Sequence, residues 1–217
     1  MSRIEHHPSE ETVYSYAAGA LPAALALVVG CHLQYCPQCR ALAAQGEALG
    51  GDLLASLDEK PLSQGRRESM MALLDASPAQ KVEEPAPRKV AIEVPGLLRN
   101  LVGHDDFDSL PWKSIVLGMK QVDLKLGEGE AKLLRIAAGK KMPVHSHQGN
   151  ELTLILRGGY SDSLGKFNAG DFAELDGSVE HQPIADADED CICLAGMDAP
   201  LAFKGLIAKM LQPIFKI

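Results

Sequence analysis

One imidazole and two thiols fall within eight residues of this sequence, at His32, Cys36 and Cys39. His32 and Cys36 are four positions apart, so they share one face if a helix extends that far. Cys36 and Cys39 form a C-x₂-C pair, a spacing that allows two thiolates to bind one ion. Zn²⁺ takes such ligands in a tetrahedral shell of four. We therefore predict a zinc site with three ligands here and a fourth from the N-terminus, at His6 or His7.

A second set of metal-binding side chains lies in the C-terminal half, at His145, His147 and Glu151. The three positions have the same parity, so on a strand their side chains point to one face. The alternate positions are leucines, which we expect to point the other way into a core: Leu152, Leu154 and Leu156.

The spacing around these residues, G-x₅-H-x-H-x₃-E-x₆-G from residue 139 to 158, resembles the first motif of the cupin family. The second motif is a glycine followed eleven residues later by a histidine, and Gly170 and His181 have that spacing. Three residues depart from the family pattern, namely Asp176, Ser178 and Ala185. The resemblance implies an all-β barrel whose three histidines and one glutamate bind Zn, Mn, Fe or Ni.

The N-terminal part has the apolar periodicity of helices. Ser9 can cap a first helix, which Gly19 and Pro22 interrupt near residue 21. A second helix over about 23–33 is apolar nearly all round, and we expect another protein to cover part of it. A third helix begins at Pro37 and extends to about residue 57, and a fourth covers about 63–74. The sequence thus predicts an all-α domain of about four helices, stabilised by zinc, over residues 1–75.

Prolines and mixed charges at residues 76–95 predict an extended linker between two domains. Beyond it, residues 112–117, 122–126 and 131–136 alternate as short strands separated by turns. Regularly spaced short strands are typical of a sandwich or a barrel. We predict an all-β cupin barrel over residues 96–217, against which the tail from residue 203 can pack.

The charge balance disfavours nucleic acid as a partner. The net charge is −8, with −4 in residues 1–75 and −4 in residues 96–217. Neither half has the basic surface that phosphate binding requires, whereas a partner with a basic surface would be attracted. We therefore disfavour a DNA-binding zinc finger.

Five cysteines in two close clusters favour metal or redox chemistry in a reducing compartment over a disulfide framework. Cys31 is interpreted as a core residue, and for Cys191 and Cys193 we favour core packing over a redox pair. The polar N-terminus predicts no signal peptide, and the apolar run over 17–29 is too short to span a bilayer. We expect a cytoplasmic protein without a membrane partner.

The two halves together resemble the ChrR family of zinc-binding anti-sigma factors over nearly the whole chain. The residues that carry the resemblance are His6-His7, Tyr16-Ala-Ala-Gly19, His32-x₃-Cys36-x₂-Cys39, His145-x-His147-x₃-Glu151, His181, Cys191-x-Cys193 and Asp198-Ala-Pro-Leu. The resemblance implies that His7 is the fourth zinc ligand in preference to His6. It implies a non-enzymatic protein that sequesters an ECF-type sigma factor, in a 1:1 heterodimer, and a cupin domain that responds to singlet oxygen or related oxidants. The alternative is a metal-dependent cupin oxygenase or isomerase with an appended zinc domain.

Overall fold

The computed structural model describes residues 4–61, 63, 65–76, 94–126 and 129–199, and the backbone of residues 201–203. The described parts of residues 1–48 and 92–217 form one compact unit, and the residues from Leu49 to Ala76 belong to a second. The predicted linker and the C-terminal tail lie almost entirely outside the described residues. The domain boundaries at residues 75 and 96 stay a prediction.

Five helices precede the strands: α1 (Glu10–Ala17), α2 (Ala23–Tyr35), α3 (Pro37–Ala55), α4 (Arg66–Ala76) and α5 (Gly96–Val102). The first four confirm the predicted all-α part, to within about four residues at each end. Ser9 caps α1 as expected, because its hydroxyl accepts a hydrogen bond from the Thr12 amide at 3.2 Å. The fifth helix was not predicted. It follows Pro95 and ends at Gly103, whose φ of 73° is the left-handed conformation that terminates helices.

The rest of the described chain is β-rich, as predicted. Its strands are β1 (Lys113–Val116), β2 (Met119–Leu124), β3 (Glu130–Ile136), β4 (His145–His147), β5 (Glu151–Arg157), β6 (Gly159–Asp162), β7 (Gly165–Asn168), β8 (Phe172–Leu175), β9 (Glu180–His181), β10 (Ile184–Ala185), β11 (Cys191–Met197) and β12 (Leu201–Phe203).

Hydrogen bonds join these strands into three antiparallel sheets. The largest has the order β1-β2-β3-β11-β5-β8, and two smaller sheets have the orders β10-β6-β7 and β12-β4-β9. Among the described residues the strand pairing does not close into one continuous barrel, whereas we predicted a cupin barrel. The sheet β12-β4-β9 carries three of the predicted histidines. His145 and His147 lie on β4, and His145 pairs directly with His181 of β9.

The six-stranded sheet has a different core on each face. Leu152 and Leu154 of β5 lie on the face that packs against the helices, as the alternation predicted. The opposite face holds the residues that alternate with them, and Cys191 and Cys193 belong to its apolar cluster. All five cysteines are buried and unpaired, and burial raises the pKa of Cys31 to about 12, which fits the core role predicted for it.

Helix α2 packs on β5 and β11 of the same chain. The chain itself thus covers the faces of α2 that lie against the sheet, and coverage of part of this helix by another protein stays a prediction. The approach is close because Gly196 has no side chain: a Cβ there would lie 2.6 Å from the Ala24 carbonyl oxygen. Val28 and Val29 are fully buried, and each such side chain contributes roughly 1.5–3 kcal/mol.

The described helices include none that is both long enough and apolar enough to cross a bilayer.

Candidate metal centres

The first centre brings together the four residues predicted for the N-terminal half. One ligand atom from each of His7, His32, Cys36 and Cys39 lies within 4.8 Å of all the others. His32 is in the last turn of α2, Cys36 links α2 to α3, and Cys39 is in the first turn of α3. His7 comes from the segment before α1. Two helix ends and the N-terminal segment therefore converge on one point.

The distances within this centre fit a shared ion. His7 Nδ1 lies 3.4 Å from the Sγ atoms of both Cys36 and Cys39. The Cys39 amide also donates a hydrogen bond to Cys36 Sγ at 3.4 Å. Two thiols and two imidazoles match the ligands that Zn²⁺ takes in a closed tetrahedral site.

His32 gives the test of whether a metal belongs here. Its side chain is fully buried, yet neither ring nitrogen makes a hydrogen bond of normal geometry within the described residues. Burial and the neighbouring His7 lower the pKa of His32 to about 4, so the ring is neutral and keeps a lone pair for a ligand. Burial, together with Cys36, raises the pKa of Cys39 to about 12. Such thiols lose their protons on binding a metal, because ligation supplies the compensating charge.

The adjacent His6 faces away from this centre. Its Nε2 lies 3.1 Å from the Lys166 carbonyl oxygen, and its ring packs on Phe167 with centroids 4.5 Å apart. The structure therefore places His7, and not His6, beside the thiols.

The second centre groups His145, His147 and His181, whose ligand atoms also lie within 4.8 Å of one another. Nε2 of His181 is 3.1 Å from Nε2 of His145 and 3.3 Å from Nε2 of His147. All three side chains are buried. Three imidazole nitrogens that lie this close together form a site suited to a divalent cation.

Glu151, the predicted fourth ligand, lies beside this group but outside it. His147 and Glu151 are on different strands, β4 and β5, so the expectation of a single strand is not met. One carboxylate oxygen of Glu151 is 3.1 Å from Nδ1 of His147, and the other accepts a hydrogen bond from Thr153 at 2.9 Å. Burial opposes ionisation of Glu151, but its contacts with His147, His145 and Thr153 outweigh burial and lower its pKa.

Hydrogen bonds to the outer nitrogens orient two of the histidines. Nδ1 of His181 is 2.9 Å from Asp162 Oδ2, and Nδ1 of His145 is 2.9 Å from the Pro143 carbonyl oxygen. With Nδ1 protonated as the donor, each ring turns an Nε2 lone pair towards the centre. Sequence reasoning missed Asp162, since a carboxylate nineteen positions before His181 belongs to no motif.

A small cavity of about 40 Å³ adjoins the second centre. His145, His181 and Glu151 line one part of it, and Lys132 and Tyr160 line another. Most of the remaining wall is apolar, and Cys193 is part of it. The cavity has room for a few water molecules or one small ligand.

Comparisons with known proteins agree with both halves of the molecule. Residues 104–199 match the family model described as the ChrR cupin-like domain. The anti-sigma-E factor ChrR of Cereibacter sphaeroides is 40% identical over 216 residues, which is 99% of each chain. The crystal structure of Rhodobacter sphaeroides SigE in complex with the anti-sigma ChrR matches with a TM-score of 0.79 and 38% identity, over 90% of this chain and 100% of that one. The chain therefore belongs to the ChrR family of anti-sigma factors.

Proposed function

We propose that this chain is an anti-sigma factor that binds an ECF-type sigma factor in a 1:1 complex and keeps it from RNA polymerase. The full-length similarity to ChrR, and the solved complex of a ChrR with SigE, support this assignment. The place of action is the cytoplasm, and the role is regulatory rather than enzymatic.

The single observation that carries the proposal is a set of exposed apolar side chains on the second compact unit. We call it the apolar stripe; its members are Leu49, Leu53, Leu54, Leu57, Met70, Met71, Leu73 and Leu74, each between 52% and 70% exposed. Helix α4 buries none of its residues within the described chain. Groups of exposed large apolar side chains mark protein interfaces, and the two methionines can adapt to an irregular partner.

The stripe has the spacing of helix-in-groove recognition. Leu49 and Leu53 are four residues apart in α3, and in α4 Leu73 and Leu74 follow Met70 by three and four residues. A helix whose apolar face has such anchors docks into a groove of another protein. The chain's net charge of −8 adds attraction to a basic partner.

Calorimetric titration of the sigma factor into the zinc-loaded chain tests this assignment. Leu53→Glu and Leu57→Glu together should weaken binding by at least about a hundredfold, because two charges enter an apolar interface. Leu117→Glu is the matched control, since Leu117 is a leucine of the first compact unit, 92% exposed on the turn between β1 and β2. Equal binding by the stripe variant and the control would contradict the proposal.

The first centre is proposed to hold zinc through His7, His32, Cys36 and Cys39. Zinc bound there supplies folding free energy, as it does in other small metal-stabilised domains. The four residues tie the N-terminal segment to α2 and α3, and α3 continues into the apolar stripe. Loss of the ion would release the N-terminal end of α3, the helix that carries Leu49 and Leu53 of the stripe.

The second centre is proposed to hold Zn, Mn, Fe or Ni through His145, His147 and His181, with Glu151 as the fourth ligand. The carboxylate would reach the ion by turning from Nδ1 of His147, which it now contacts. We propose that this cupin part is needed for release of the sigma factor in response to singlet oxygen or related oxidants.

A cupin oxygenase or isomerase is the alternative function, and the cavity argues against it. Substrate pockets commonly have volumes of roughly 300–1,000 Å³. The enclosed cavity beside the second centre, at about 40 Å³, is far smaller, and the pocket of about 410 Å³ on the other side of His181 is open to the surface. The enclosed cavity suits a sensor that admits a small oxidant better than an enzyme that admits an organic substrate.

A further inference from the structure

The N-terminal segment that carries His7 lies along β8 of the cupin part. The amides of Glu5 and His6 both donate to Asp171 Oδ1, at 2.7 and 3.1 Å. The Phe172 amide donates to the His6 carbonyl oxygen at 3.1 Å. Three hydrogen bonds thus fix the backbone of the two residues that precede His7.

The residues that follow His7 are held by the same strand. Glu174 accepts hydrogen bonds from the Ser9 amide at 2.9 Å, from the Ser9 hydroxyl at 3.2 Å and from the Thr12 hydroxyl at 2.6 Å. Ser9 is the N-cap of α1, so this carboxylate also lies at the positive end of the helix dipole. Two carboxylates therefore fix the chain on both sides of His7. Asp171, just before β8, holds the residues that precede His7, and Glu174 of β8 holds those that follow it.

The surroundings of Asp171 fix its carboxylate in the position that holds the N-terminal segment. Its side chain is almost fully buried, and its second oxygen accepts a hydrogen bond from the Asn168 amide at 2.8 Å. Three backbone amides therefore satisfy the buried charge. The preceding Gly170 has a φ of 98°, and a Cβ there would lie 2.9 Å from Ile4 Cγ1, so only glycine lets the segment approach this closely.

The same strand contacts the first metal centre from another side and borders the second. The Phe172 ring packs edge-on against His32, with centroids 5.3 Å apart. Leu175 of β8 pairs with Glu151 of β5, the residue beside the second centre. Residues of β8 therefore lie next to both metal centres.

We infer that Asp171 and Glu174 are positioning residues for the first metal centre: they hold residues 5–9 so that His7 faces Cys36 and Cys39. Without them, His7 would sit on a chain end that must lose conformational freedom each time an ion binds. The cupin part thereby sets the metal affinity of a centre whose ligands all lie outside it. This inference rests on the metal site of the proposed function.

Cobalt titration of the metal-free full-length chain tests the inference. The absorption of cobalt–thiolate charge transfer reports only the first centre, because the ligands of the second contain no sulfur. Glu174→Ala should weaken Co²⁺ binding at the thiolates by about tenfold, and Asp171→Ala by up to about a hundredfold. Glu174 is exposed, so its variant should fold even if the Asp171 variant does not. Glu189→Ala, which removes another exposed carboxylate of the cupin part, should bind Co²⁺ like the parent chain.

The same Glu174 substitution in a His7→Ala chain distinguishes a positioning effect on His7 from a general loss of structure. If Glu174 acts through His7, then Glu174→Ala should cause no further loss of affinity in a chain that already carries His7→Ala. The same fold-loss in both backgrounds, or no loss in either, would overturn the inference. A parent chain with no cobalt–thiolate absorption would overturn the metal site itself as well, whereas normal absorption with unaffected variants would overturn the inference alone.

Discussion

Asp162 Oδ2 lies 2.9 Å from Nδ1 of His181, and the Asp162 side chain is completely buried. A carboxylate on the outer nitrogen of a ligand histidine fixes the ring and its tautomer, and it makes the inner nitrogen a better ligand. This pair therefore belongs to the second centre as much as the three histidines do.

Asp162→Asn should lower the metal affinity of the second centre by about 10–100-fold. An amide can donate to Nδ1, which would move the ring proton to Nε2 and block that nitrogen. Metal content after dialysis against a graded chelator measures the effect. Asp188→Asn removes an exposed carboxylate of the same charge and should retain the metal. Equal retention by both variants would contradict the role of Asp162.

Cys36→Ser and Cys39→Ser should each lower both the zinc content of the first centre and the affinity for the sigma factor. Each variant removes one thiolate from a four-ligand set and leaves the other three groups without their partner. Elemental analysis and calorimetric titration measure the two effects on the same samples. Cys31→Ala is the matched control, because Cys31 precedes His32 but is outside the ligand group. Normal sigma binding by a zinc-free variant would show that the metal is dispensable.

Gly196→Ala should lower the free energy of unfolding by about 1–3 kcal/mol, because the new Cβ meets the backbone of α2 and overpacks the interface. Gly50→Ala makes the same chemical change in α3, where a Cβ would meet nothing within 4 Å. That variant should be neutral or more stable by up to about 1 kcal/mol. Urea denaturation of both variants measures the difference. A stable Gly196→Ala chain would mean that α2 does not pack closely on the sheet.

Asp190→Asn should cost about 1 kcal/mol of stability at neutral pH. The hydrogen bond from Arg135 Nε, at 2.8 Å, holds the pKa of Asp190 below its ordinary value of 3.8. A depressed folded-state pKa gives stabilisation that is present above the unfolded-state pKa and is lost as the pH falls through the folded-state pKa.

Denaturation of the parent and Asp190→Asn chains between pH 7 and pH 3 tests this sign. The difference in unfolding free energy should be constant down to about pH 4 and shrink below it. Asp108→Asn, which removes a more exposed carboxylate from the same arginine, should have a smaller effect. A difference that grows on acidification would contradict the assignment.

The grouping of His32, Cys36 and Cys39 was predictable from the sequence because their spacing is local. The i, i+4 relation of His32 to Cys36 and the C-x₂-C pair need only a helix end and a turn, and the structure supplies both. Residue types alone left the choice between His6 and His7 open. Family spacing favoured His7, and the backbone contacts that turn His7 inwards come from Asp171, just before β8 and more than 160 residues away.

Other features of the fold and the site depend on contacts between distant residues, and such contacts leave no recognisable spacing in a single sequence. The apolar surface of α2 correctly predicted that the helix is buried, but not that it packs on the sheet. The close approach depends on Gly196, which lies on a strand far away in the sequence. Asp162, Asp171 and Glu174 act through single hydrogen bonds across the fold and have no fixed spacing from the ligands they orient. Helix α5 was missed because seven residues are too few to establish a helical period.

The most direct test of the central claim is transcription in vitro with purified RNA polymerase and the ECF-type sigma factor of the same organism. One equivalent of the zinc-loaded chain should abolish transcription from a promoter that depends on this sigma factor. It should leave a promoter that depends on the primary sigma factor unaffected. Undiminished transcription from the first promoter, or equal inhibition of both, would contradict the account.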